Sequence, residues 1–173
     1  MTNPDIQNAL KQADETFFSP YGLAHTLLLT HPEGQDYGAC RIMLNGRVAE
    51  FRIGKATPKK LGFFATLWHR SQEGLTIPFD LNDKVELFII SAAMGLEFGL
   101  FVFPKIVLFQ QGYVSKHGIG GKRAMRIYPS WEINLNATAH KTKKWQAPHF
   151  IDQNLPPHAM AHFWQTRWPS GKA

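Results

Sequence analysis

The chain has 173 residues, 44% of them hydrophobic and 18% charged, which describes one folded domain with a sizeable core rather than a disordered tail. Its formal net charge of +6 fits a polyanionic partner without naming one. The single cysteine, Cys40, excludes an internal disulfide, no apolar run approaches the ~20 residues of a membrane span, and the N-terminus lacks the basic-then-apolar layout of a secretory signal, so a cytoplasmic protein with no membrane partner is expected.

Asn3-Pro4 supplies an N-cap and a first-turn proline, and Ile6, Ala9, Leu10 and Ala13 recur with helical period, so a helix is predicted from about 4 to 17. The stretch from Pro20 to Gly38 is ambiguous, with Ala24 to Leu29 fitting either a helix or a short buried segment. From Gly38 the period becomes two. Cys40, Ile42 and Leu44 alternate with Arg41 and Met43, and after Asn45-Gly46 the residues Ala49, Phe51 and Ile53 alternate with Glu50 and Arg52. Asn-Gly between alternating runs signals a tight hairpin, because both residues tolerate positive φ. One side of this hairpin is expected to bury apolar groups and the other to present Arg41, Glu50 and Arg52.

Thr57-Pro58 marks a break, and Gly62 to Arg70 reads as a third strand. Val85 to Ser91 and Phe98 to Phe103 read as two more, joined around Gly95. Pro104 opens a short helix through Gln111, stopped by Gly112. The loop Gly118-Ile119-Gly120-Gly121 leads into a strand at Arg123 to Tyr128, Asn136 caps a helix to about Gln146, and His158 to Arg167 reads as a final helix. The pattern predicts an α+β single domain: a mainly antiparallel mixed sheet of about five to six strands with flanking helices.

Five ordered motifs carry a resemblance: Arg52-x-x-Lys55-x-Thr57-Pro58-x-Lys60-x-Gly62; Thr66-x-Trp68-x-Arg70; Phe101-x-Phe103-Pro104-Lys105-x-x-Leu108; Gly121-Lys122-Arg123-x-x-Arg126-x-Tyr128-Pro129-x-Trp131; and Lys141-Thr142-x-Lys144-Trp145-Gln146. Together they resemble the MepB-like family of small bacterial proteins. That resemblance implies a compact α+β fold and no settled biochemical activity. It divides the chain into an N-terminal helical segment (1–36), a family core (37–152) and a helical C-terminal extension (153–173), all in one globular domain. The chain departs from the family pattern at Gly62-Phe63-Phe64, where Gly-Gln-Phe is expected, and at Ala124-Met125, where Gly-Phe is expected. Both departures fall at uncharged positions.

The charge is segregated. Residues 41–70 hold seven basic residues against Glu50, and 113–150 hold seven against Glu132, while 1–40 and 71–112 are net acidic. Two such blocks, each with tryptophan, make a local positive field that attracts phosphates, and exposed indoles stack on bases. The expected phosphate contacts are Arg52, Lys55, Lys59, Lys60 and Arg70 from the first block, and Lys122, Arg123, Arg126, Lys141 and Lys144 from the second. Trp68, Trp131 and Trp145 are the candidate stacking residues, although indoles pack in cores more often than they serve as base platforms. Glycine N–H groups around 118–121 could also form an anion nest.

The leading expectation is therefore a nucleic-acid-binding protein, with DNA or RNA as its partner, no cofactor and no resident metal. A second reading is a metal-dependent nuclease of restriction-endonuclease-like architecture, with Asp36 and Glu50 as the catalytic carboxylates. Glu50-Phe51-Arg52 gives that reading Glu-x-Arg, and arginine does not accept a proton as a lysine can. A third is a binding module for an acidic protein or a small anionic ligand. His158 and His162 have metal-ligand spacing, but Ala159 stands where a zinc peptidase needs its glutamate, and no third ligand lies near.

Overall fold

In the computed structural model, which describes residues 4–168, Ile6, Leu10 and Ala13 share the buried side of helix α1 (Pro4–Ala13). One widened π turn, Asp14–Phe18, extends it and buries Phe17 and Phe18. The chain then forms β1 (His25–Thr30), β2 (Cys40–Leu44) and β3 (Arg47–Ile53). Asn45 and Gly46 sit at φ 46° and 84° in the β2–β3 turn, the left-handed geometry that a two-residue hairpin requires. Segment 24–29 is neither a helix nor buried: β1 is an edge strand whose Leu27, Leu28 and Leu29 are 40–45% exposed. Its apolar run gave no periodicity by which to tell an edge strand from a core element.

After β3 come β4 (Lys55–Thr57), β5 (Lys60–Thr66), β6 (Trp68–Arg70) and β7 (Thr76–Pro78), then β8 (Leu87–Met94) and β9 (Glu97–Pro104). Helix α2 (Lys105–Gln110), β10 (Ala124–Ile127), α3 (Ala137–Gln146), β11 (Phe150–Asp152) and α4 (Pro157–Arg167) complete the chain. The main sheet has six strands in the order β1-β2-β3-β8-β9-β11, antiparallel except where β3 runs parallel to β8. A parallel neighbour cannot be reached by a tight turn and needs a crossover. Here residues 54–86 cross over one face of the sheet and carry β4 to β7 with them. β10 joins β5 and β4 to form a second, three-stranded sheet on that face, and β6 pairs with β7.

The two faces of the main sheet bury two cores. On the first, Ile42, Leu44, Ala49, Phe51 and Ile89 pack against Ile6, Leu10, Phe17 and Phe18, with Met160 and Trp164 of α4 closing the layer. On the second, Phe88, Ile90, Phe101 and Phe103 meet Phe63 and Ala65 of β5 and Met125 and Ile127 of β10. Phe63 and Met125, two of the three residues that depart from the family pattern, are thus core residues of the second layer. Gln146, fully buried, pins α3 to β10 by accepting from the Tyr128 N–H at 3.0 Å and donating to the Arg126 carbonyl at 2.9 Å. Asn136 caps α3 by accepting from the Ala139 N–H at 2.9 Å. No helix among the described residues is long and apolar enough to cross a membrane.

Candidate functional site

A two-residue hairpin turn sets Leu44 opposite Arg47, and the pairing then places Arg41 directly across from Glu50. Glu50 and Arg52 share a side of β3, as i and i+2 residues of a strand do. The expectation that this side faces solvent is wrong: Glu50 is 0% and Arg52 2% exposed. The crossover layer roofs them. Both Glu50 oxygens are engaged, Oε1 by Arg41 Nε at 2.6 Å and Oε2 by Arg52 Nη1 at 2.7 Å, with His31 Nε2 3.0 Å from Oε2. Burial alone would raise the Glu50 pKa, but the hydrogen bond from His31 and the charges of Arg52, His31 and Arg41 outweigh it and hold the carboxyl at about 2. Arg52 also donates Nη1 to the Phe51 carbonyl at 2.9 Å, while its buried Nε has no hydrogen-bond partner.

Above this cluster lies a cleft of about 410 Å³. Arg41, Arg52 and Arg70 line it together with His31 and His69, and Leu29, Pro32, Ala39 and Trp68 add apolar surface. Arg70, at the end of β6, donates Nε to Glu33 on the rim and Nη1 to the Gly74 carbonyl at 2.8 Å, with its guanidinium 5.7 Å from the Trp68 ring centroid. The cleft therefore gathers Arg52, Trp68 and Arg70 from the expected set and adds His31, Arg41 and His69. Arg41 was within reach of sequence reasoning, because the Asn-Gly turn already dictates its pairing with Glu50. His31 and His69 carried no local signal.

A second neighbourhood lies on the three-stranded sheet. Lys55 of β4 and Arg126 of β10 are both directly paired with Phe64 of β5, so the three lie in a row on one side. Lys55 Nζ rests 5.2 Å from the Tyr37 ring centroid, and Tyr37 meets the edge of Phe64 at 5.7 Å. Arg126 Nη1 donates to Thr57 Oγ1 at 3.0 Å and to the Leu61 carbonyl at 3.2 Å, bracing the β4–β5 turn. Gly62 sits there at φ 80°, where a Cβ would come 2.7 Å from the Ile127 carbonyl oxygen. Lys59, Lys60 and Arg126 then line a shallow cavity of about 520 Å³ with Thr138 from the first turn of α3. Lys141 follows Thr138 one turn along α3, and both Lys141 and Lys144 are exposed.

The remaining candidates separate from these two neighbourhoods. Lys122 and Arg123 are exposed before β10, and Lys122 Nζ lies 4.9 Å from the Tyr113 ring centroid. The glycine-rich loop does not offer an open nest: Gly118 N–H donates to Asp80 at 3.0 Å and Ser115 Oγ to the same carboxylate at 2.7 Å, which hold Asp80 at about 2. Trp131 and Trp145 are half-buried and pack against Phe63 and Phe150 and against Phe103 and Tyr113, respectively. Asp36 is exposed in the 3₁₀ turn Pro32–Tyr37. No group of three or more His, Cys, Asp or Glu side chains that could hold a metal ion occurs among the described residues. His158 and His162 are exposed on α4.

The model of the MepB-like family matches residues 31–152, a span that holds both neighbourhoods except Leu29 of the cleft. The chain belongs to the MepB-like family. A solved structure, the crystal structure of MepB, is similar to it with a TM-score of 0.73 and 27% sequence identity, over 87% of this chain and 97% of that one. No curated protein matches. The family span includes every residue of the Glu50 cluster, whereas α1 and α4, which cover the first core, lie outside it.

Proposed function

We propose that this MepB-like protein binds nucleic acid along the strip formed by Lys55, Lys59, Lys60 and Arg126, continued by Lys141 and Lys144 on α3. The observation that carries the reading is the register Lys55–Phe64–Arg126, which joins the two basic blocks within one sheet although about 70 residues separate them in the chain. Basic side chains so placed neutralise successive phosphates, and the Tyr37–Phe64 pair beside Lys55 supplies aromatic surface for bases. The nuclease reading draws less support, because both Glu50 oxygens are committed to arginine and histidine. Binding to an acidic protein would need the same charges but no nucleotide-length dependence.

Titration of fluorescent single- and double-stranded DNA and RNA at several salt concentrations tests the proposal. Log affinity should fall linearly with log salt, by about 0.7 per phosphate neutralised on a single strand. Changing Lys55, Lys59, Lys60, Lys141 and Lys144 together to glutamate should weaken binding by about 100-fold, as several phosphate contacts are lost. Arg126 is left intact in that variant because it braces a turn. A folded variant that binds like the parent overturns the reading. Oligonucleotide cleavage that depends on Mg²⁺ would replace it with the nuclease reading.

A further inference from the structure

The cleft over Glu50 contains more cationic chemistry than its own carboxylates neutralise. Arg41, Arg52 and Arg70 face one space, against the buried Glu50 beneath and Glu33 on the rim. Arg41 commits only Nε to Glu50, so no bond among the described residues occupies its two terminal nitrogens. Arg52, 2% exposed, keeps Nε without a partner, although an unmade hydrogen bond on a buried charged group is costly. Its Nη2 reaches only the Trp68 carbonyl, at a long 3.4 Å. Guanidinium forks suit phosphate oxygens, and a doubly charged anion with three terminal oxygens uses several forks at once.

Leu29, Pro32, Ala39 and Trp68 add apolar and aromatic surface among the arginines: Leu29 pairs with Arg41 across β1 and β2, and Trp68 shares a side of β6 with Arg70. A cleft of about 410 Å³ lined by three arginines and an indole is within the size range of small-ligand sites. Its floor is closed by the Glu50–Arg52 pair, so a continuous strand has no exit through it.

We propose that this cleft is a phosphomonoester site, which takes the terminal phosphate of a nucleic-acid strand between Arg41, Arg52 and Arg70 and stacks the end base on Trp68. The choice of a strand end as the source rests on the nucleic-acid reading above; the phosphomonoester chemistry does not. Glu33 competes with the incoming phosphate for Arg70, so it weakens the site in the free protein.

The test uses three internally labelled single strands of one sequence, carrying a 5′-phosphate, a 3′-phosphate or hydroxyls at both ends, with adenosine monophosphate as a free competitor. One phosphorylated strand should bind about 10-fold more tightly than the hydroxyl-ended strand. Arg41→Ala and Arg70→Ala should bring that ratio to one, while Glu33→Gln should raise it. Arg70 is a surface side chain, so its variant stays interpretable should Arg41→Ala fail to fold. Equal, salt-sensitive affinity for all three strands overturns the cleft site and leaves the basic strip standing. A ratio that persists in Arg70→Ala also overturns it. Adenosine monophosphate binding that Arg70→Ala abolishes, with no strand bound at any salt, supports the phosphomonoester site and overturns the strip, making a free mononucleotide the source.

Discussion

The two sides of β3 present opposite solutions to burial. On one, Ala49 and Phe51 are fully buried among aliphatic and aromatic side chains beneath α1 and α4. On the other, Glu50 and Arg52 are just as buried but are joined to Arg41 and His31 in an ionic cluster. An apolar replacement of such a cluster is often neutral or stabilising, so stability alone is a weak reason for its presence. On the ionic side the cluster floors a cleft and holds two of its arginines, Arg41 and Arg52, in place.

The largest expected effects break each side in turn. Phe51→Ala should cost about 3–5 kcal/mol through lost transfer energy and a residual cavity. Glu50→Ala should cost about as much, roughly 3–5 kcal/mol, by leaving Arg52 charged and uncompensated. The comparison sharpens in Glu50→Leu/Arg52→Met. That variant should recover much of the stability lost in Glu50→Ala, measured by urea denaturation, yet lose phosphomonoester binding. A stable double variant that still discriminates strand ends would contradict the role given to Arg52.

Acid should separate the two sides next. Cys40, on the apolar side, is pushed up to about 12 by burial and stays a thiol throughout, so it contributes no acid titration. Glu50 is held at about 2, below its ordinary 4.5, so its stabilisation is complete above 4.5 and is lost as pH falls from 4.5 towards 2. The shift corresponds to roughly 3 kcal/mol. His149 adds a shallower arm at higher pH. Burial, then the charge of Arg167, lowers it from 6.5 to about 4. The unfolded chain therefore binds a proton first, and stability falls as pH drops from 6.5 to 4 and is flat below. Because His149 is only partly buried, solvent screening reduces this to about 1 kcal/mol. Denaturation midpoints measured from pH 7 to pH 3 should show both arms, and His149→Gln should remove only the upper one.

The smallest effect on stability concerns the basic strip. Lys55→Ala should change stability by less than about 0.5 kcal/mol, since Lys55 is exposed and makes only a ring contact. It should still weaken oligonucleotide binding and lower the salt slope by about one. A large loss of stability with an unchanged slope would instead make Lys55 a packing residue.

Much of the fold is legible locally. The Asn45-Gly46 turn and the period-two runs on either side specify the β2–β3 hairpin, and the turn's length alone pairs Arg41 with Glu50. Pro4, Asn136 and the helical spacing of Ile6, Leu10 and Ala13 mark helix starts and a buried side. Of the four three-residue strands, β4, β7 and β11 were not legible and β6 merged with β5 into one expected strand, because three residues cannot display a period. Nor was β1: only its pairing with β2 makes it a strand.

The sequence by itself determined that β3 has two chemically different sides, that the excess of basic charge is concentrated in two blocks, and where the chain turns. Which side would be covered was decided only in three dimensions. The parallel pairing of β3 with β8 sends residues 54–86 across the polar side, and that excursion turns an expected surface into the floor of a cleft. The same excursion lays β5 beside β10 and so brings the two basic blocks together. The physical reason is common to both outcomes: periodicity and turn chemistry act within a few residues. The burial of a charge, by contrast, depends on partners gathered from distant segments, here His31 for Glu50 and the Trp68 carbonyl for Arg52.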